Sequence, residues 1–351
     1  MFTQVERTLA GLAGLAPLRS NESFELNQDL SWREVLQEAK RGKLLPVLGW
    51  KLVQGRWRNQ DEQRYVEAWP NEAIQVLKKA YQHSWIQAEH RKHHVDQIRE
   101  VFAKHSLPYV LYKGLSYAHS LYPDPAIRSM KDVDILIPGY RLQQATHALQ
   151  SIRLFPKPLD IPHPCALSFT AERAAFHLDV HHRLSWPHHT RIPETSLVHL
   201  ADRTTSEGDR VWSPAHQLLF HLYHVCKEQL QPKHTPLRAF LEIREWLAQC
   251  QDSLPSLQER AKRWGLSRVL NLGLEVVDDL APGFLEPSKR REASGIMRMA
   301  RYLRHNAPTK KGKTPAAYKT VQGFFLLQMI DHPLDRIVYF GQRLQILWRQ
   351  G

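Results

Sequence analysis

The run Lys131-Asp132-Val133-Asp134-Ile135-Leu136-Ile137-Pro138 places two carboxylates two residues apart at the start of an apolar stretch. In an extended strand alternate side chains share a face and the rise is roughly 3.3 Å per residue. Asp132 and Asp134 can therefore converge on one or two cations while Val133, Ile135 and Ile137 turn into a core. Two like charges this close repel, so a bound metal or a raised carboxyl pKa is expected. A third carboxylate comes from Phe176-His177-Leu178-Asp179-Val180-His181-His182, where alternation puts His177, Asp179 and His181 on one face and Leu178 and Val180 on the other. Three carboxylates suit a hard cation such as Mg2+ or Mn2+, which takes oxygen ligands and keeps room for waters and substrate phosphates. Two such ions about 3.5–4 Å apart could hold both the attacking and the leaving oxygen of a displacement. Lys113-Gly114, at the end of another apolar run, adds a cation and a glycine for close backbone approach, and Ser116 opens a helix whose first amides can meet a phosphate. Asp-x-Asp alone also describes a strand entry facing water; the other two motifs favour the metal reading.

These residues need elements to position them. Tyr109 to Tyr112 reads as a strand, Leu115 to Leu121 as a short helix, Val133 to Ile137 as a strand and Arg141 to Ile152 as an amphipathic helix. Cys165 to Thr170 and Ala175 to His182 read as strands able to pair as a hairpin around a turn near Glu172. Upstream, residues 29–104 read as helical, with a capping box at Ser31 and Glu34 and an apolar stripe at Ile74, Leu77, Tyr81, Trp85, Ala88, Val95, Ile98 and Phe102. Downstream of Ser213-Pro214 the pattern is helical to the end: near 214–229, 237–250, 255–264, 268–280, 292–304, 316–331 and 333–349, with Lys310 to Lys313 as a linker. The expected fold is α+β, with a small mixed sheet in residues 105–210, a helical region in 1–104 and a helical, basic region in 211–351.

Composition is that of a globular chain: 42% hydrophobic and 24% charged over 351 residues, enough for a sizeable core. Cys165, Cys226 and Cys250 are too few and too dispersed for a disulfide framework or a structural zinc site. A reducing cytoplasm is the expected compartment. No apolar run is long enough for a membrane span. The net charge of +13 is uneven, since residues 287–351 hold 13 Lys or Arg against Glu292, Asp331 and Asp335. Such a surface is either simply solvated or attracts an anionic partner, nucleic acid included.

The run Val110-Leu111-Tyr112-Lys113-Gly114-Leu115-Ser116, then Tyr122-Pro123, Arg128, Asp132-Val133-Asp134-Ile135-Leu136 and His177-Leu178-Asp179-Val180-His181, resembles the uncharacterised bacterial nucleotidyltransferase family of the DNA polymerase beta-like superfamily. The likeness spans roughly residues 105–250. It implies a nucleotidyltransferase core in which Gly114 and Ser116 bind the triphosphate of an NTP and Asp132, Asp134 and Asp179 hold the metals. Leu115 stands where many members have serine or glycine, and Glu242 stands in a stretch that often carries Asp. The implied mechanism activates an acceptor hydroxyl at the three-carboxylate metal and neutralises the pyrophosphate leaving group, with Lys113, Arg128 and Lys131 adding positive charge. Asp179 would take the acceptor proton or orient the nucleophile, and His181 could assist.

Other clusters have plainer readings. His83, His90, His93 and His94 decorate a polar helix face, and His181-His182 with His188-His189 match no zinc signature. His216, His221, His224 and Lys227 share one helix, and Trp186 or Trp212 could stack a base. The acceptor, a small molecule, protein or RNA, is not readable. Two competing readings remain: a nucleic-acid-binding protein using the basic region, and a catalytically inactive nucleotide-binding regulatory module.

Overall fold

The computed structural model describes residues 2–15, 27, 29–158, 165–171, 176–184, 190–192, 197–227, 235–283, 295–305, 316–333 and 335–336. The turn near Glu172, the Lys310–Lys313 linker and most of the helix expected at 333–349 lie outside these residues. The chain forms two compact units. One comprises Met1–Leu77, His188–Arg191 and Pro214–Gly351, the other Lys78–Pro187 and Ile192–Ser213.

Among its described residues the first unit is built of helices. Its amino-terminal part holds α1 (Gln4–Ala13), α2 (Trp32–Arg41), α3 (Leu45–Gln54), α4 (Gln60–Glu67) and the first turns of α5 (Asn71–Lys104). The capping box at Ser31 is formed, with its hydroxyl accepting from the Glu34 amide and the Glu34 carboxylate reaching back. Later come α8 (Pro214–Lys227), α9 (Leu237–Gln249), α10 (Leu254–Arg263), α11 (Ser267–Leu280), α12 (Gly295–His305) and α13 (Ala316–Met329). Gly273 on α11 lets α8 pass close by: a Cβ there would stand 2.2 Å from the Leu222 Cδ2 atom. Among the described residues no helix is long and apolar enough to cross a membrane.

Lys51 of α3 is buried and its ammonium donates to the carbonyls of Leu12 (2.8 Å) and Gly14 (2.6 Å), satisfying the carboxyl end of α1. Burial pulls its pKa down to about 8, against the opposing pull of Glu62. An unfolded lysine titrates near 10.4, so between about pH 8 and 10.5 the unfolded chain binds more protons and stability rises with pH. Urea midpoints at pH 7.5, 9 and 10.5 should show wild type gaining on Lys51→Met across this window. Parallel profiles would refute the account.

The second unit contains the rest of α5 and a five-stranded sheet. Its strands are β1 (Val110–Tyr112), β2 (Val133–Leu136), β3 (Leu154–Pro156), β4 (Ala166–Ala171) and β5 (His177–His181), with α6 (Lys113–Leu121) after β1 and α7 (Leu142–Ser151) before β3. Spatial order is β1-β2-β5-β4-β3, with β2 and β5 parallel and the other pairs antiparallel. A two-stranded ribbon, β6 (Arg203–Thr204) and β7 (Arg210–Val211), completes it. The expected α+β class and small mixed sheet are present, and β4 and β5 pair as the expected hairpin.

Alternation sorts the sheet into two faces. Leu111, Val133, Ile135, Phe169, Leu178 and Val180 form one core with Val95, Ile98 and Phe102 of α5 and Ala145, Ala148 and Leu149 of α7. Burying each of the larger side chains stabilises the fold by about 1.5–3 kcal/mol. The polar residues are left on the opposite face. On α5 the buried stripe departs from expectation: Trp85 is 50% exposed, and Ser84 and Arg91 are buried instead. The cause is a polar surface beneath that helix. Tyr81 donates to Asp124 (2.8 Å), Ser84 to the Ala126 carbonyl and Arg91 to the Met130 carbonyl (3.3 Å), so α5 anchors the loop leading into β2.

Candidate active site

The central pairing of the sheet sets the site. In the parallel β2–β5 pair Asp134 stands directly opposite Asp179, and the same row continues to Tyr112 on β1 and Ser168 on β4. Residues in one row share a face, and neighbouring strands lie roughly 4.8 Å apart. His181, two residues beyond Asp179, joins that face. Its Nε2 lies 2.8 Å from Asp134 Oδ1. Lys113 Nζ donates to the same oxygen at 2.8 Å and lies 3.4 Å from the His181 ring nitrogen. Ser168 donates its hydroxyl proton to Asp179 Oδ1 at 2.6 Å.

Lys113 has φ +47, in the left-handed region. A non-glycine residue there costs about 1–2 kcal/mol. The strain turns the chain from β1 straight into α6 and returns the lysine side chain over the carboxylates. Gly114 follows for a steric reason: a Cβ at this position would stand 3.1 Å from Arg128 Nη1 and 3.6 Å from Met130 Sδ. The Arg128 guanidinium, buried, stacks over the Tyr117 ring at 5.3 Å. Ser116 is fully buried in α6.

The electrostatics follow from this packing. Burial opposes ionisation of Asp134, yet the Lys113 ammonium and then the His181 ring hold its carboxyl well below the usual carboxylate range. Desolvation works against Lys113 too, and the Asp134 carboxylate outweighs it, keeping the ammonium charged far above neutral pH. Burial, then Lys113, lowers the His181 pKa, so the ring is neutral. An ionised carboxylate only accepts hydrogen bonds, which assigns the His181 proton to Nε2. Asp132 is exposed, one residue before β2. Desolvation and the charges of Asp134 and Asp179 raise its pKa. Lys131 beside it is exposed.

Among the described residues, Asp134, Asp179 and His181 form a group whose ligand atoms lie within 4.8 Å of one another. The two carboxylates suit Mg2+ or Mn2+, and the His181 Nε2–H, engaged with Asp134, orients one of them. The structure thus gathers Lys113, Asp134, Asp179 and His181, sets Gly114 against Arg128, and leaves Asp132 and Lys131 at the exposed margin.

The sequence profile of an uncharacterised nucleotidyltransferase family matches residues 28–282. The chain belongs to that family. No curated protein matches this nucleotidyltransferase-family chain. Among solved structures it is similar to the solution structure of the antibiotic-resistance factor ANT(2'')-Ia, at 14% identity over 47% of this chain and 85% of that one, with a TM-score of 0.32.

Within this nucleotidyltransferase-family chain the other sequence candidates have packing roles where they are described. Trp212 donates to the Leu197 carbonyl and packs edge-on against Tyr112 at 5.6 Å. His94 stacks on Phe176 at 4.4 Å. In the helical unit His221 Nε2 meets the Ala239 carbonyl at 2.7 Å, and Glu242 lies buried 3.5 Å from Arg238 Nε. Trp186, His188 and His189 lie outside the described residues. Sequence reasoning missed the Ser168 contact with Asp179 and the burial of Arg91. Ser168 was findable, since hairpin pairing puts a β4 side chain beside Asp179. The Arg91 signal was hidden in the charged run Glu89-His90-Arg91-Lys92.

Proposed function

We propose that the chain transfers a nucleoside monophosphate from an NTP to a hydroxyl or similar acceptor and releases pyrophosphate. The observation that supports this most directly is the register pairing of Asp134 with Asp179, which sets two carboxylates side by side with His181. Asp134 and Asp179, with Asp132 from the exposed margin, would hold Mg2+ or Mn2+. A bound divalent ion there would supply Lewis-acid stabilisation of phosphoryl charge and a lowered acceptor pKa.

The chain's own residues do the rest. The acceptor oxygen forms a bond to the α-phosphorus while the bond from that phosphorus to its bridging oxygen breaks, and the electron pair leaves with pyrophosphate. The acceptor proton passes to the Asp179 carboxylate, whose Oδ1 is already fixed by Ser168. His181 and Lys113 orient Asp134. Gly114, Ser116 and the α6 amino terminus receive the triphosphate, with Arg128 and Lys131 adding positive charge.

Incubation of purified protein with each labelled NTP, Mg2+ and cell extract should yield pyrophosphate and one labelled product. Nucleotide binding with no release under any NTP would turn the reading to a regulatory module. Salt-sensitive nucleic-acid binding that survives removal of all three aspartates would favour the basic region as the functional surface. Ser168 gives a finer check. Loss of a hydrogen bond that orients a metal ligand costs about 10–100-fold in metal affinity or activity, so Ser168→Ala should weaken Mn2+ binding by about tenfold. Unchanged Mn2+ titration would remove Ser168 from the site.

A further inference from the structure

We propose that Arg91 of α5 joins Arg128 and Gly114 in an anion seat that takes the polyphosphate end of the nucleotide, the part that leaves as pyrophosphate. This rests on the nucleotidyltransfer reading and adds to it a residue from outside the sheet and its connecting turn. Arg91 is 7% exposed, and its Nη1 donates to the Met130 carbonyl at 3.3 Å. Its Nη2 is buried with no hydrogen-bond partner. Burial, and after it the like charge of Arg128, pulls its pKa down to about 10.

The three parts meet around one backbone position. Arg128 Nη1 and Met130 Sδ lie 3.1 and 3.6 Å from where a Gly114 Cβ would stand, and Arg91 holds the carbonyl of that same Met130. Gly114 is the second residue of the nine-residue helix α6, whose first amides point toward its amino end. A buried guanidinium with an unused donor, repelled by a second guanidinium, is costly to the fold. An anion with several charges and fork-matching oxygens removes that cost, and phosphate oxygens have this geometry. Tyr81 and Ser84, on the same stripe of α5, pin the loop that carries Arg128, so the two guanidinium groups are set by one rigid helix.

The test uses tripolyphosphate as the probe, by calorimetry in EDTA and again with Mg2+, on the full chain. Wild type should bind it and gain thermal stability. Arg91→Met should bind on the order of 10- to 100-fold more weakly, the range of a lost charge-assisted hydrogen bond. Without the anion, Arg91→Met should melt higher than wild type, because an uncompensated buried charge is gone. A purely structural arginine gives the reverse: a lower melting temperature and unchanged affinity. Arg91→Lys keeps the charge and loses the fork, so it should fold normally and bind with intermediate affinity.

Tripolyphosphate affinity equal to wild type in both variants would overturn the seat while leaving pyrophosphate release intact. If no NTP yields pyrophosphate yet tripolyphosphate binding still depends on Arg91, the seat stands and the transfer reading falls.

Discussion

Asp179→Asn should lower pyrophosphate release by about 10³-fold or more, with a circular dichroism spectrum and melting temperature close to wild type. Amide replaces carboxylate at constant size, and its carbonyl can still accept the Ser168 hydroxyl 2.6 Å away, so the sheet keeps its packing. What disappears is a negative ligand and a proton acceptor. Several kcal/mol of transition-state stabilisation by a correctly held ion, at about 1.4 kcal/mol per tenfold, gives that magnitude. The decisive measurement is single-turnover release with the productive NTP, beside Mn2+ titration. Activity within tenfold of wild type would remove Asp179 from the reaction, and a collapsed fold would assign it a structural task.

A second large effect is expected in stability. Asp134 is 5% exposed at its side chain and bonded to the Lys113 ammonium at 2.8 Å. Removing one partner of a buried pair strands the other, at a cost of about 3 kcal/mol or more. Lys113→Met should therefore lower the urea midpoint substantially in EDTA. Mn2+ or Mg2+ should restore much of the loss by mass action, since the ion binds the folded carboxylates that the ammonium no longer balances. Lys113→Gly loses the same charge but relieves left-handed strain of about 1 kcal/mol, which should make it the milder variant. A Lys113→Met protein as stable as wild type in EDTA would contradict the role assigned to this pair.

The parts legible in the sequence were those carried by period and by motif. Alternation around Asp134 and Asp179 correctly separated Ile135 and Val180 from the carboxylates, because one face of this sheet is apolar core. The helix starts near Ser31 and Pro214 followed from a capping box and a first-turn proline. Long-range placement was not legible. The parallel pairing of β2 with β5 is what puts His181, separated from Asp179 by Val180 alone, diagonally against Asp134. The left-handed backbone at Lys113 had no signal either, because glycine, the usual marker of that conformation, comes one residue later. On α5 the apolar period runs through Trp85, whereas the surface the helix covers is a loop of carbonyls and a carboxylate. Polar Ser84 and Arg91 are the residues that fit it.

The direct opposition of Asp134 and Asp179 on adjacent parallel strands has an evolutionary corollary. Their spacing is inherited from peptide hydrogen bonds, so helices and loops around them can diverge freely without detuning the centre. A one-residue shift of β5 would instead exchange Asp179 for Leu178 or Val180 in that row, erasing the chemistry and exposing greasy side chains together. Selection against misfolded sheets and selection for catalysis would then act on the same alignment, and a lineage could not relax one without forfeiting the other.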